Sequence, residues 1–126
     1  MARKKSPNLT DAELRLMEVL WEKGAATVSE VIEQLPKNVP LAYSTVLTTL
    51  RILENKGYLR HSKDGRAFVY RPLVRREQAC ENAITHLLRR FFRNSPELLM
   101  LNLIEDRKID SRELARLRKR IEEDKS

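Results

Sequence analysis

A single cysteine, Cys80, is all the thiol chemistry this chain of 126 residues holds, so no disulfide can close within it and a reducing compartment suits it. Cys80 reads as a small packing residue, the usual fate of a free cysteine. Three glycines leave no room for a glycine-rich phosphate loop. The two histidines, His61 and His86, stand apart from any Cys or carboxylate set with metal-ligand spacing, so no metal and no other cofactor is expected. The neighbouring carboxylates Glu122 and Glu123 lie in a charged tail and read as solvated surface, not as an acid–base pair. No run approaches the ~18 apolar residues of a membrane span, and the basic start MARKKSPN leads into an acidic segment instead of an apolar signal core. These shortages remove the usual devices of an enzyme and predict a soluble, cytoplasmic protein without membrane insertion.

Acidic charge is short as well. The chain has 25 Lys and Arg against 18 Asp and Glu, a formal charge of +7, which favours a polyanionic partner. The imbalance is local: residues 8–36 hold two basic and six acidic side chains (net −4), whereas residues 37–71 hold seven basic and two acidic (net +5). Inside the basic stretch, 100° per residue gathers Val46, Leu50 and Leu53 on one side of a helix and Ser44, Thr48, Arg51 and Asn55 on the other. Gly57 is placed to stop that helix in the left-handed region. Tyr58–Ser62 and Ala67–Arg71 read as two strands, and Lys63-Asp64-Gly65-Arg66 between them contains the Asp-Gly pair that suits a type I′ hairpin turn. A two-faced helix running into a basic hairpin is the layout of a winged helix-turn-helix.

Two shorter helices precede it. Thr10 to Glu13 has the spacing of a capping box, with Leu9 and Leu14 at the positions of a hydrophobic staple, and Leu14, Met17, Leu20 and Trp21 are predicted to supply the inner face before Gly24. Thr27 to Glu30 repeats the box for a second helix, with Val28, Val31, Ile32 and Leu35 inward and Pro36 closing it. Three helices and a two-stranded wing therefore occupy roughly residues 9–72.

Beyond Pro72 the pattern turns wholly helical. A helix over about Val74–Arg93 carries Cys80, Ala83, Ile84, Leu87, Leu88, Phe91 and Phe92 on one face. Asn94-Ser95-Pro96 stops it and starts another, rich in Leu98, Leu99, Met100, Leu101, Leu103 and Ile104. Asp110 to Glu113 caps a last helix with a narrow seam of Leu114, Leu117 and Ile121. About fifty residues with no sheet to pack on would leave apolar patches exposed unless a second copy covered them. A homodimer held through Leu87, Phe91, Leu98, Leu101, Leu117 and Ile121 is the expected answer. The predicted fold class is mainly α, an α+β winged helix: residues 1–72 form a DNA-binding domain and residues 73–126 a helical dimerisation domain. Residues 1–7 and the Glu122–Ser126 tail are the segments expected to be disordered.

Candidate contact residues follow from side-chain size and charge. Ser44, Thr45 and Thr48 can reach base edges or phosphates without holding the helix away from a groove, and Tyr43 can add a phosphate contact. Arg51 can meet guanine or backbone, and Leu47 at the margin can meet a thymine methyl. Lys63 and Arg66 flank the hairpin tip, with Arg60 and Arg71 as weaker candidates. The plainer reading keeps the Ser and Thr side chains as solvated helix surface, Tyr43 and Leu47 as partly core, and the wing cations as protection against edge pairing. Arg3, Lys4 and Lys5 form either a contacting arm or a solvated tail.

Leu9-Thr10-Asp11-Ala12-Glu13, Val19-Leu20-Trp21, Ser44-Thr45-Val46-Leu47-Thr48-Thr49-Leu50, Lys56-Gly57-Tyr58-Leu59 and Gly65-Arg66-Ala67-Phe68-Val69-Tyr70 together resemble the penicillinase repressor family of the BlaI/MecI type. The resemblance spans nearly the whole chain. It implies a dimeric winged-helix repressor that binds a dyad operator on double-stranded DNA through the third helix and dimerises through its carboxy-terminal helices. It also implies a regulatory protease from a membrane sensor pathway, which in such repressors cuts the tail at an Asn followed by Phe. The matching position here is Asn102-Leu103, which keeps the Asn and not the aromatic. Asn102 is equally readable as a hydrogen-bonding residue of the dimer interface. The related copper-responsive repressors carry paired Cys-x-Cys motifs, a device that a chain with Cys80 alone does not have. Two other readings of the residues stay open beside the repressor: an RNA-binding winged-helix module and a protein-interaction adaptor.

Overall fold

A computed structural model describes residues 8–38 and 40–125. The Arg3, Lys4 and Lys5 arm lies outside the described residues. The order is α1 (Asp11–Lys23), β1 (Ala26–Thr27), α2 (Val28–Gln34), α3 (Tyr43–Asn55), β2 (Leu59–Asp64), β3 (Ala67–Pro72), α4 (Arg76–Phe91), α5 (Pro96–Glu105) and α6 (Ser111–Lys125). By its internal contacts the chain divides into two compact units, one through His86 and one from Leu87 onward.

Both predicted capping boxes form. Thr10 Oγ1 accepts from the Glu13 N–H at 3.1 Å while Glu13 Oε1 accepts from the Thr10 N–H at 2.8 Å, and Thr27 with Glu30 repeats the exchange. Each exchange satisfies two of the amide groups that a helix start leaves without partners. The core of the first unit is built on Leu16, Met17 and Leu20 of α1, Val28 and Val31 of α2, Val46, Leu50 and Leu53 of α3, and Tyr58, Leu59 and Tyr70 of the hairpin region. One position on α1 differs from expectation: Leu16 is fully buried, whereas Leu14 is 40% exposed. The apolar residues of α1 support two helical faces one position apart, and packing against α2 and α3 selects the Glu13–Leu16–Met17–Leu20 face.

The wing is a three-stranded antiparallel sheet in the order β1-β3-β2 instead of a lone hairpin. Ala26 pairs with Tyr70 and Thr27 with Val69, so the two residues before α2 anchor the hairpin to the helices. The hairpin closes between Asp64 and Ala67. Its two loop residues are therefore Gly65 and Arg66, not Asp64 and Gly65. Gly65 has φ +64° and Arg66 is not among the positive-φ residues, the pattern of a type II′ turn in place of the expected I′. The end of α3 follows expectation: Gly57 adopts φ +89°, and the Tyr58 N–H donates to the Leu53 carbonyl while the Gly57 N–H donates to that of Glu54, a Schellman closure.

The first unit takes in the start of α4. Trp21 Nε1 donates to the Val74 carbonyl at 2.8 Å, and Ala79 is buried in the core. Cys80, expected as a packing residue, is exposed instead; Ala79, one position earlier on α4, faces inward. In the second unit Ser95 caps α5 with Pro96 at its first turn, and Asp110 and Glu113 form a capping box at the start of α6. The tail expected to be disordered continues α6 through Lys125, and Ser126 lies outside the described residues. No residue from Leu87 to Asp124 is buried.

Candidate nucleic-acid interface

The α3 helix divides as its sequence divides. Val46, Leu50 and Leu53 are fully buried, and Ser44, Thr45, Thr48, Arg51 and Asn55 are exposed along the opposite side. Tyr43, at the amino end, is 55% exposed. Leu47 is half-buried against the core margin. Ala42, the residue before α3, offers no side-chain acceptor. Thr49 spends its hydroxyl on the Thr45 carbonyl at 2.8 Å.

Lys63 and Arg66 are exposed at the hairpin tip, as are Arg60 and Arg71 on the strands. Tyr43, Leu47 and Arg66 come together around a groove of about 250 Å³, completed by Thr27, Val28 and Ser29 at the start of α2 and by Ala67 and Phe68 of β3. The groove gathers residues of α2, α3 and the wing on one face of the first unit. Ser44, Thr45, Thr48 and Arg51 lie on α3, and Lys63 lies at the outer end of β2 opposite Phe68.

A second set of residues holds α3 against the wing, and no sequence pattern singled it out. Glu54, in the last turn of α3, accepts from the His61 Nδ1 at 2.7 Å and from the His61 backbone N–H at 3.3 Å. The His61 ring meets Phe68 edge-on at 5.1 Å and lies 5.6 Å from Tyr70. Burial raises the Tyr70 phenol above its ordinary value, and the Glu54 carboxylate adds to the rise; the nearby Arg51 charge acts against both. Arg51 itself remains exposed. One signal existed in the sequence, Glu54 as the lone acid of α3 amid a basic stretch, but the partner it meets is decided by the chain reversal at Gly57.

Another cation, Lys56, is partly buried and paired within the chain. Lys56 Nζ donates to Glu13 Oε1 at 2.7 Å and to the Asn8 carbonyl at 3.3 Å. Burial alone would raise the Glu13 carboxyl, yet the hydrogen bonds from Lys56 and Thr10 together with the Lys56 charge hold it below the ordinary value. Lys56, one of the seven basic residues in 37–71, thereby ties the end of α3 to the start of α1.

Among the described residues no group of three or more His, Cys, Asp and Glu is placed to hold a metal, and no helix is long and apolar enough to cross a membrane. Three helices with a sheet wing, a polar stripe on the third helix and cations at the wing tip define a winged-helix DNA-binding protein.

Comparison with known proteins carries this to a family. The family profile described as Penicillinase repressor matches residues 9–123. Over 123 residues the chain is 34% identical to the penicillinase repressor of Bacillus licheniformis, covering 98% of this chain and 96% of that one. It is 24% identical to the methicillin resistance regulatory protein MecI of Staphylococcus aureus strain N315, covering 90% and 93%. The solution structure of the DNA-binding domain of the repressor BlaI matches with a TM-score of 0.52 and 39% identity, over 60% of this chain and 93% of that one. The chain belongs to the penicillinase repressor family. It is a DNA-binding transcriptional repressor and not an enzyme.

Proposed function

We propose that the protein binds a palindromic operator as a homodimer and represses by occluding a promoter. In this reading α3 lies in the major groove with Ser44, Thr45, Thr48, Arg51 and Leu47 toward the bases, Tyr43 toward phosphate, and Lys63 and Arg66 of the wing on flanking backbone. Residues 1–72 read DNA and residues 73–126 pair the subunits.

The observation that carries the dimer is the absence of any buried residue between Leu87 and Asp124. Leu87, Phe91, Leu98, Leu101, Leu117 and Ile121 are all exposed in the single chain, Phe91 by 67%. An apolar surface of this extent is stable in water only when something covers it. A second copy does so with an interface that is its own complement, and a two-fold protein matches a two-fold operator.

Asn102-Leu103 is the proposed point of inactivation by a sensor-linked protease. Asn102 is exposed on α5 in the single chain, and its carbonyl accepts from the Asp106 N–H at 3.0 Å, so cutting requires local opening of that helix. A cut there removes α6 and unlinks the heads without touching α3. Mass spectrometry of the protein from derepressed cells checks this: a fragment ending at Asn102 is expected, and an intact chain returns Asn102 to the dimer interface.

Selection of binding sites from random duplex DNA, followed by footprinting, tests the main reading. Two half-sites related by a dyad, centred about one helical turn or a multiple apart, are expected. Enrichment of a single asymmetric site would overturn the dimeric reader. Stronger binding to a structured RNA competitor, or no DNA protection with salt-insensitive binding to an acidic protein, would replace it with the RNA-binding or adaptor reading.

A further inference from the structure

The last helix carries a charge density that the reading head does not explain. Helix α6, Ser111–Lys125, holds six basic and four acidic side chains, with five of the six cations within residues 112–120 and the acids Glu122, Glu123 and Asp124 gathered at its carboxy-terminal end. The distribution around α6 is not uniform. At 100° per residue Arg112, Arg116 and Lys119 fall on the side directly opposite Leu114, Leu117 and Ile121, with Arg120 beside them.

Arg112, Arg116, Lys119 and Arg120 are all exposed. None takes part in the ion pairs formed among the described residues, which join Lys56 to Glu13, His61 to Glu54 and Arg76 to Glu18. Of the acids on α6, Glu113 is spent on the capping box with Asp110, and Glu122, Glu123 and Asp124 follow the stripe, Glu123 at the carboxy-terminal end of the same face. Arg112, Arg116 and Arg120 are also spaced at i, i+4 and i+8, where like charges are neighbours and repel, lowering the stability of the helix. A helix serving only to pair subunits gains nothing from that arrangement; alternating signs would solubilise it better.

We propose that α6 carries a second phosphate-binding surface, made of Arg112, Arg116, Lys119 and Arg120, that grips the backbone of duplex DNA without reading its sequence. The proposal rests on the dimer reading above in one respect: if the Leu114, Leu117 and Ile121 seam is covered by the second copy, the basic stripe opposite is turned outward on both subunits. The match is one of charge and length. From Arg112 to Arg120 the helix advances about 12 Å, against one phosphate per about 3.4 Å of axis on each DNA strand, so the row can face about three phosphates. Guanidinium groups suit this task because they offer forked donors to phosphate oxygens and remain charged at any physiological pH. The chain is a DNA-binding repressor, so duplex DNA is a polyanion that it meets in its own work.

The test uses the full-length protein with Arg112→Gln, Arg116→Gln and Lys119→Gln combined, and measures binding to random-sequence and operator duplexes across a salt series. The expected result is a loss of about tenfold or more at low salt on both duplexes. The slope of log affinity against log salt should flatten by about 0.9 for each phosphate contact released, with the operator-to-random ratio unchanged. Restoring charge with Lys at positions 112 and 116 should restore most of the slope. Circular dichroism and sedimentation confirm a folded dimer; if the triple variant does not fold, Arg116→Gln alone should still flatten the slope by about one contact. An unchanged slope in these variants, with Lys63→Ala flattening it in parallel, overturns the proposal and leaves the reading head intact. Unchanged DNA binding with lost attachment to vesicles containing phosphatidylglycerol reassigns the stripe to a membrane surface and overturns it too. A wild-type chain that binds no duplex at all sinks both this proposal and the reading it rests on.

Discussion

At the scale of single residues, the surface and the interior use the same charge chemistry to different ends. Arg51 and Lys63 are exposed, and their replacement by alanine should leave fold and assembly intact while weakening DNA binding. For a phosphate contact the salt slope should fall by about 1 per subunit and all sequences should suffer alike; for a base contact by Arg51, operator affinity should drop by about 1–3 kcal/mol more than random-duplex affinity. A salt titration of each variant on both duplexes separates the two. Glu13 works inside the protein. Its folded-state carboxyl is held below the ordinary value near 4.5, by hydrogen bonds that outweigh the opposing effect of burial, so the unfolded chain binds more protons in that range. The stabilisation from the Glu13–Lys56 pair is therefore complete above about pH 5 and is lost as pH falls through the depressed value. Glu13→Gln should cost about 1–3 kcal/mol at neutral pH, because it leaves the Lys56 ammonium partly buried without its carboxylate. Chemical denaturation against pH checks the sign: the gap between wild type and variant should close on the acid side and persist at pH 7.

At the scale of elements, the wing depends on one backbone conformation. Gly65 sits at φ +64° in the two-residue loop of the hairpin, and a Cβ built there meets nothing within 4 Å. The cost of replacing it is therefore conformational rather than steric contact with neighbours. Gly65→Val should destabilise the protein by about 1–2 kcal/mol, the penalty of a left-handed conformation for a side-chain-bearing residue, and Gly65→Asn by distinctly less. Thermal unfolding of the two variants provides the comparison, and equal losses would mean that the turn is not held in this conformation. The elements themselves were legible where a local rule governs them. Thr10, Thr27, Ser95 and Asp110 each start a helix where cap chemistry predicts, and Gly57 ends α3 where an αL residue is needed. Local rules stop short of pairing. Ala26 and Thr27 form a strand only because Tyr70 and Val69 arrive beside them, and two residues show no periodicity of their own. The register that puts Gly65 and Arg66 in the loop is likewise fixed by the ladder from Leu59–Pro72 to Asp64–Ala67, not by the Asp-Gly pair alone.

At the scale of the whole molecule, the two compact units differ in what they lack. The unit through His86 holds a closed core that includes Ala79 and is tied by the Trp21–Val74 hydrogen bond. The unit from Leu87 has exposed leucines and Phe91 and no buried residue in its described part. A chain ending at His86 should therefore be a folded monomer that binds a dyad operator more weakly by about 10²–10⁴, the effective-concentration advantage lost when two heads are unlinked. Sedimentation and operator titration read both quantities, and a fragment that stays dimeric would move the pairing surface into the head. A chain ending at Pro72 should be less stable than the one ending at His86, since it gives up the Val74 acceptor and Ala79 as well.

What the sequence by itself determined is whatever depends on neighbours along the chain: the caps, the 3.6-residue stripe that makes Val46, Leu50 and Leu53 core and leaves Ser44, Thr48 and Arg51 outside, and the excess of cations over residues 37–71. Those features are enough to name the fold class and the kind of partner. Tertiary structure alone decided which of two apolar faces of α1 turns inward, Leu16 over Leu14, and which small residue of α4 enters the core, Ala79 over Cys80. It also decided that Lys56 is spent on Glu13 and that Glu54 stays with His61. The reason is common to all of these. Each joins residues from separate elements, and such contacts depend on how helices and strands close on one another, a choice made by the packing of the whole core and not by any stretch of sequence within it.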